Sequence, residues 1–150
     1  MRVTFEPPEG SILQNPSTSE VANIILSAPA AYWHSECGEA GVYCANAGGL
    51  VTTSIVLVFR EQYGFMLQYF ARGGTRSIFT AAPTDGRGPG DTGDSDERIA
   101  HVQSGRQLWL PRACFVDRST AARVVGAFID TGTGARPDGQ WLEVLMPTVH

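Results

Sequence analysis

The sequence predicts an α+β fold: residues 1–150 as a single domain, with a mainly antiparallel sheet of five or six strands and two main helices. Three observations carry that expectation. Strand-like segments between residues 51 and 82 are joined by connections too short for parallel crossovers. Two other segments place apolar residues at helical spacing. The 150-residue length suits about one hydrophobic core.

Taken in order, Val3–Phe5 reads as a short edge strand, followed by an irregular stretch punctuated by Pro7, Pro8, Gly10 and Pro16. Ser17-Thr18-Ser19-Glu20 has the form of a capping box, a hydroxyl for an orphan N–H with Glu three residues on. Val21, Ile24, Ile25 and Ala28 then form one apolar face, and Pro29 stops the helix, giving Ser17–Ala28. Ala31–His34 and Val42–Cys44 read as short strands between glycines.

Thr53–Arg60 is apolar on both faces through Ile55–Phe59, the mark of a central strand. Phe65–Ala71 and Ser77–Ala82 follow across tight turns, making a meander. Arg98–Gln103 and Gln107–Leu110 form a hairpin about residues 104–106. Asp117, Ser119 or Thr120 caps a second helix, whose apolar face is Ala121, Val124, Val125, Phe128 and Ile129. Gly132 and Gly134 end it, and Pro137-Asp138-Gly139 turns into a last strand, Trp141–Leu145.

Between these elements lies Pro83–Glu97, a Gly- and Pro-rich segment without a large apolar residue. It carries Asp85, Asp91, Asp94, Asp96 and Glu97 against Arg87 alone, a formal −4. The whole chain also carries −4, so the remainder is formally neutral. Uninterrupted loops of this length are uncommon in compact domains and are often functional. Flexible carboxylates can steer association with a basic partner. An interaction arm is therefore one reading and a solvated insertion the other.

Composition excludes several classes. A hydrophobic fraction of 43% is too high for a disordered chain. No apolar run approaches membrane-spanning length, so no membrane partner is expected. An acidic net charge argues against nucleic acid as a partner. The N-terminus lacks an apolar signal-peptide region, which makes the cytoplasm the expected location. All eleven basic residues are arginine, which fits the coding bias of a GC-rich genome.

Motifs for catalysis are sparse. His34-Ser35-Glu36-Cys37, with Cys44 beyond, contains the His-x-Glu that opens the zinc deaminase signature, but the Pro-Cys-x-x-Cys half is missing. Cys-x6-Cys is not a usual zinc spacing. His101 and His150 make no Cys–His pair legible in the sequence. Gly86–Gly90 has no following helix to hold a phosphate. The expectation is no catalytic residue, no metal and no cofactor. An enzyme using His34, Glu36 and Cys37 is the weakest alternative. A non-catalytic domain that binds a small molecule between helix and sheet is the stronger one.

The second half has a further cadence: Ser54–Val58, Gly64–Phe70, Gly73-Gly74, Leu108–Pro111, Phe115–Asp117, a helix Thr120–Asp130 closing on Thr131-Gly132, then Arg136-Pro137 and Trp141-Leu142-Glu143. This resembles the Imm1 family of bacterial immunity proteins, over about residues 54–143. The resemblance implies a protein that binds the catalytic domain of a cognate toxin, a deaminase or another polymorphic toxin, and occludes its active site. Residues 1–50 and the 83–97 insertion depart from the family pattern. Partner contacts are then expected at Asp85, Asp91, Asp94, Asp96 and Glu97, with Tyr63 and Trp109 as aromatic anchors.

Overall fold

A computed structural model describes residues 1–33, 39–74, 76–81, 98–103 and 106–144. The chain begins with β1 (Arg2–Glu6), in which Val3 and Phe5 alternate inward and Pro7-Pro8 ends the ladder. A two-residue β2 (Leu13–Gln14) pairs with its outer side, so β1 is not the edge strand expected. Asn15 closes this ribbon at φ 48, exchanging bonds with Val3 through its own N–H and its Oδ1.

Helix α1 (Thr18–Ser27) starts as the sequence predicts: Ser17 Oγ accepts from the Glu20 N–H, and Glu20 Oε1 accepts from the Ser17 N–H. Val21 and Ile25 on its inner face are fully buried. The strand expected at Ala31–His34 is instead one helical turn, α2 (Ala30–Trp33). Pro29 ends α1 and its carbonyl accepts from the Tyr32 N–H, so the two alanines after it continue helically. The turn delivers the Trp33 ring into the core, edge-on to Phe65 with centroids 4.8 Å apart. Burial of that ring outweighs the aromatic preference for strand.

The expected meander follows. It comprises β4 (Val51–Arg60), β5 (Gly64–Ala71) and β6 (Arg76–Thr80), and β3 (Glu39–Ala45) extends it at the start, each strand antiparallel to the last. With β9 (Gln140–Val144) outside β6, the sheet order is β2-β1-β3-β4-β5-β6-β9, and β4 is its centre. Seven strands exceed the five or six expected because β2 was invisible and the final strand joins the same sheet.

The two-faced apolar pattern of β4 now has its cause. Ile55, Leu57 and Phe59 face α1 and α3 (Arg118–Thr131), together with Leu67, Val125 and Phe128. Val58, with Met66 and Ile78, faces the opposite side. There it meets a separate hairpin, β7 (Arg98–Gln103) and β8 (Arg106–Pro111), and the 3-10 turn Arg112–Cys114. The hairpin thus forms as expected but lies across the sheet instead of extending it.

Helix α3 starts at Asp117, whose carboxylate accepts from the Thr120 N–H at 2.8 Å, and ends at Gly132 with φ 63. Its partner α1 is tied on by Arg118. One guanidinium nitrogen donates to the Ile25 and Ala28 carbonyls at 2.9 and 2.7 Å, satisfying groups that the end of α1 would leave orphaned. Among the described residues, no helix is long and apolar enough to cross a membrane.

Candidate partner-binding surface

The hairpin sets the direction of its side chains by strand alternation. Ile99 pairs with Leu110, and both are buried against the sheet. The next pair, Ala100 and Trp109, must then face away. Trp109 is 61% exposed, a large indole presented on the outer face of a packed element. Arg60 at the end of β4 holds this hairpin, its Nη2 donating to the Ala100 carbonyl at 2.9 Å.

The acidic residues Asp85, Asp91, Asp94, Asp96 and Glu97 lie outside the described residues. Both flanks of their segment are described, and both reach the same place. Ahead of it, the Ala81 N–H donates to the Ala113 carbonyl at 2.9 Å. Behind it, Arg98 follows Glu97 directly and pairs with Pro111. The described residues on its two sides, Ala81 and Arg98, therefore both lie beside residues 111–113, two residues along β8 from Trp109.

Tyr63, the other expected anchor, sits in the β4–β5 turn and is half-buried. Its ring packs on Phe115 with centroids 5.7 Å apart, and the Arg112 guanidinium lies over it at 5.2 Å. Arg112 also donates to the Phe115 carbonyl. Tyr63 thus braces the 3-10 turn to which Ala81 is bonded, while Trp109 alone of the two is freely presented. Arg60 and Arg112 escaped the sequence reading. Their partners are backbone carbonyls and a ring far away in sequence, and no local pattern marks them.

The residues considered for catalysis have other surroundings. His34, Glu36, Cys37 and His150 lie outside the described residues, as does any contact between Cys37 and Cys44. Cys44 is buried on β3, its thiol donating to Met1 Sδ at 3.2 Å. Burial pushes the Cys114 thiol up to about 11, so it stays protonated at neutral pH and is a poor nucleophile. Among the described residues, no group of three or more His, Cys, Asp or Glu could hold a metal ion.

Between helices and sheet, Ile25, Val125, Leu57 and Leu67 are fully buried in one apolar cluster. A groove of about 410 Å³ instead lies on the outer side of α1, lined by Ile24, Ala28 and Tyr32 with Glu20, Asn23 and Ser27. On the opposite sheet face, Gln68 is completely buried beside Val56 and Ile78, and its side-chain amide makes no hydrogen bond among the described residues. Its diagonal neighbour Arg76 is also buried, and loss of solvent pulls its pKa below the ordinary value.

Comparison of the chain with protein-family models, with curated proteins and with solved structures finds no match.

Proposed function

We propose that this protein is a non-catalytic inhibitor of the immunity type, which binds the catalytic domain of a cognate toxin and covers its active site. The observation that carries the reading is the exposed Trp109 close to Ala81 and Arg98, the described residues that flank the five-carboxylate sequence. An exposed aromatic anchor flanked by charge is the composition of a binding hot spot. Carboxylates there suit a basic cleft, such as one that takes a nucleic-acid substrate in a deaminase or nuclease toxin. They would occupy the position of phosphates and raise the association rate.

Resemblance to the Imm1 family supports the same reading through architecture. The α3 residues Val124, Val125 and Phe128 seat the helix on the sheet, and Gly132 closes it. The Trp141 indole donates to the Pro137 carbonyl at 2.9 Å and packs against Tyr69 and Phe79. The small-molecule alternative is less favoured, because the described side chains between helix and sheet form one apolar cluster.

Coexpression tests this function. The chain is expressed in a bacterial host with the toxin domain encoded beside it. Survival that depends on the chain, with one-to-one inhibition of the purified toxin, is expected. A toxin equally lethal and equally active with or without the chain overturns the reading.

A further inference from the structure

Arg60 and Arg112 are both committed to the fold around the base of the hairpin. Arg60 donates to the Ala100 carbonyl, and Arg112 donates to the Phe115 carbonyl while lying over Tyr63. Arg98 differs. It opens β7 opposite Pro111, it is exposed, and among the described residues no carboxylate pairs with it. Burial raises the pKa of the Cys114 thiol and the charge of Arg98 lowers it, so the guanidinium stays near the 3-10 turn. Ile99 and Leu110 point to the sheet, so alternation puts Arg98 on the same side of the ribbon as Ala100 and Trp109. Arg98 and Trp109 are then diagonal neighbours across the two strands, a separation of about 7–8 Å that long side chains can span. Ala100, directly opposite Trp109, is too small to cover the indole.

Building on the toxin-inhibitor reading, we propose that Arg98 is a specificity-determining residue of the Trp109 surface. It pairs, fork to fork, with a carboxylate that borders the toxin pocket taking the indole. Charge complementarity identifies this occupant. A planar guanidinium beside an aromatic ring suits an anion at the rim of an apolar pocket, and carboxylate and phosphate both match its donors. A nucleic-acid phosphate would have to approach a chain of net charge −4, in which Asp94, Asp96 and Glu97 come just before Arg98. A single protein carboxylate brings no such polyanion repulsion. The toxin supplies that carboxylate through its own chemistry. A cleft that is basic to hold a nucleic acid keeps carboxylates at its reacting centre, as general acid–base in a zinc deaminase or as metal ligands in a nuclease. The acidic sequence then draws the cleft in, while Arg98 pairs with the opposite charge inside it.

Titration calorimetry with the purified toxin domain encoded beside this chain tests the pairing. Arg98→Gln should weaken affinity about 30-fold or more, because a charge-assisted contact is lost and the toxin carboxylate is left buried. Arg98→Lys should recover only part, since an ammonium cannot form the fork. Arg98→Glu should abolish binding. All three should leave the urea midpoint close to native, as expected at an exposed position. Changing the Asp and Glu residues of the toxin cleft to amides, one at a time, should uncover one whose own loss largely disappears in the Arg98→Gln background. Losses that simply add for every one of them overturn the proposal, and so does native affinity in Arg98→Gln. In both cases the native chain still binds the toxin, so the inhibitor reading stands. A native chain that does not bind the toxin removes both. Binding of a single-stranded oligonucleotide by the native chain, lost in Arg98→Gln, assigns the guanidinium to a phosphate and likewise overturns the pairing.

Discussion

The backbone N–H of Ala81 donates to the carbonyl oxygen of Ala113 at 2.9 Å, and this bond ties the end of β6 to the 3-10 turn. The pairing of Arg98 with Pro111 brings the residue after Glu97 to the same turn. The described residues on both sides of the acidic segment thus lie near Trp109, and Ile99, Leu110 and Arg60 hold the hairpin on the sheet.

That division predicts separable effects. Changing Asp85, Asp91, Asp94 and Asp96 to Asn and Glu97 to Gln should leave the melting temperature nearly unchanged. If the proposed toxin is the partner, association with it at low salt should slow about tenfold or more, and its salt dependence should flatten. Trp109→Ala should act on dissociation instead, weakening affinity about 30-fold for a hot spot near 2 kcal/mol. Its stability should move by less than about 0.5 kcal/mol. Stopped-flow binding across ionic strengths separates the two. Unchanged association rates would exclude the acidic segment as the steering element.

Arg118 joins the two helices. It donates to the last carbonyls of α1, and its guanidinium lies over Phe59 and Phe65 at 5.5 and 6.0 Å. Arg118→Met keeps the apolar stem but strips both bonds. Water can reach part of the α1 terminus, so the loss should be about 1–2 kcal/mol, read as a shifted urea midpoint. Arg118→Lys should recover less than half, because an ammonium cannot both stack flat and fork between two carbonyls. Full rescue by Lys would show that charge alone matters.

Which features were legible follows from their range. The α1 start was readable because a capping box closes within four residues, all consecutive at Ser17–Glu20. β4 was readable as central because burial on both faces leaves no polar alternation. What covers its second face was not readable, since period two marks Ile99 and Leu110 as inward without naming the surface they meet. α2 was misread because Trp33 is placed by its contact with Phe65, a tertiary fact. At the candidate site, the acidic run and Trp109 are visible as residues. That Ala81 and Arg98 both lie beside 111–113 depends on backbone bonds between distant segments.

Gly64 shows a backbone constraint that the sequence presented only as a turn. Its φ is +101, and a Cβ there would stand 2.2 Å from the Val116 carbonyl oxygen. The close approach lets Phe65 and Val116 exchange two backbone bonds, each 2.8 Å, which draw the 3-10 turn and the start of α3 onto the sheet. Gly64→Ala should therefore cost at least about 2 kcal/mol, from strain and from displaced backbone. Gly73→Ala, also at positive φ but in open space, is the comparison and should cost less. Equal losses would mean that the approach to Val116 contributes nothing.

Asp117 gives stability a dependence on pH. The Thr120 backbone N–H, followed by its hydroxyl, holds the Asp117 carboxyl below its ordinary pKa. A depressed value in the folded state means that the stabilisation is present above the carboxyl's unfolded pKa and is lost as pH falls through the folded one. Asp117→Ala should cost about 1 kcal/mol at neutral pH. Asp117→Asn keeps a capping oxygen but cannot ionise, so its deficit against the native chain should shrink as the solution is acidified. Urea midpoints at neutral and acidic pH measure this. A deficit constant with pH would sever the link between cap and ionisation.

Gln68 offers the last test. It occupies the centre of the second sheet face, opposite Val56 on one side and Ile78 on the other, and it is completely buried. Neither atom of its amide is hydrogen-bonded among the described residues. A buried amide without a partner forfeits about 1–3 kcal/mol of solvation on folding, whereas an apolar side chain of similar length forfeits none. Gln68→Met changes volume little and removes the orphaned dipole, so it should raise stability by about 1 kcal/mol, visible as a higher urea midpoint with an unchanged slope. Arg76 makes this substitution informative in the other direction. If the amide instead binds a buried water or a ligand that it shares with the neighbouring guanidinium, Gln68→Met would strand that group and lower the midpoint. The sign of the shift therefore decides whether this polar position is a packing defect or an occupied site.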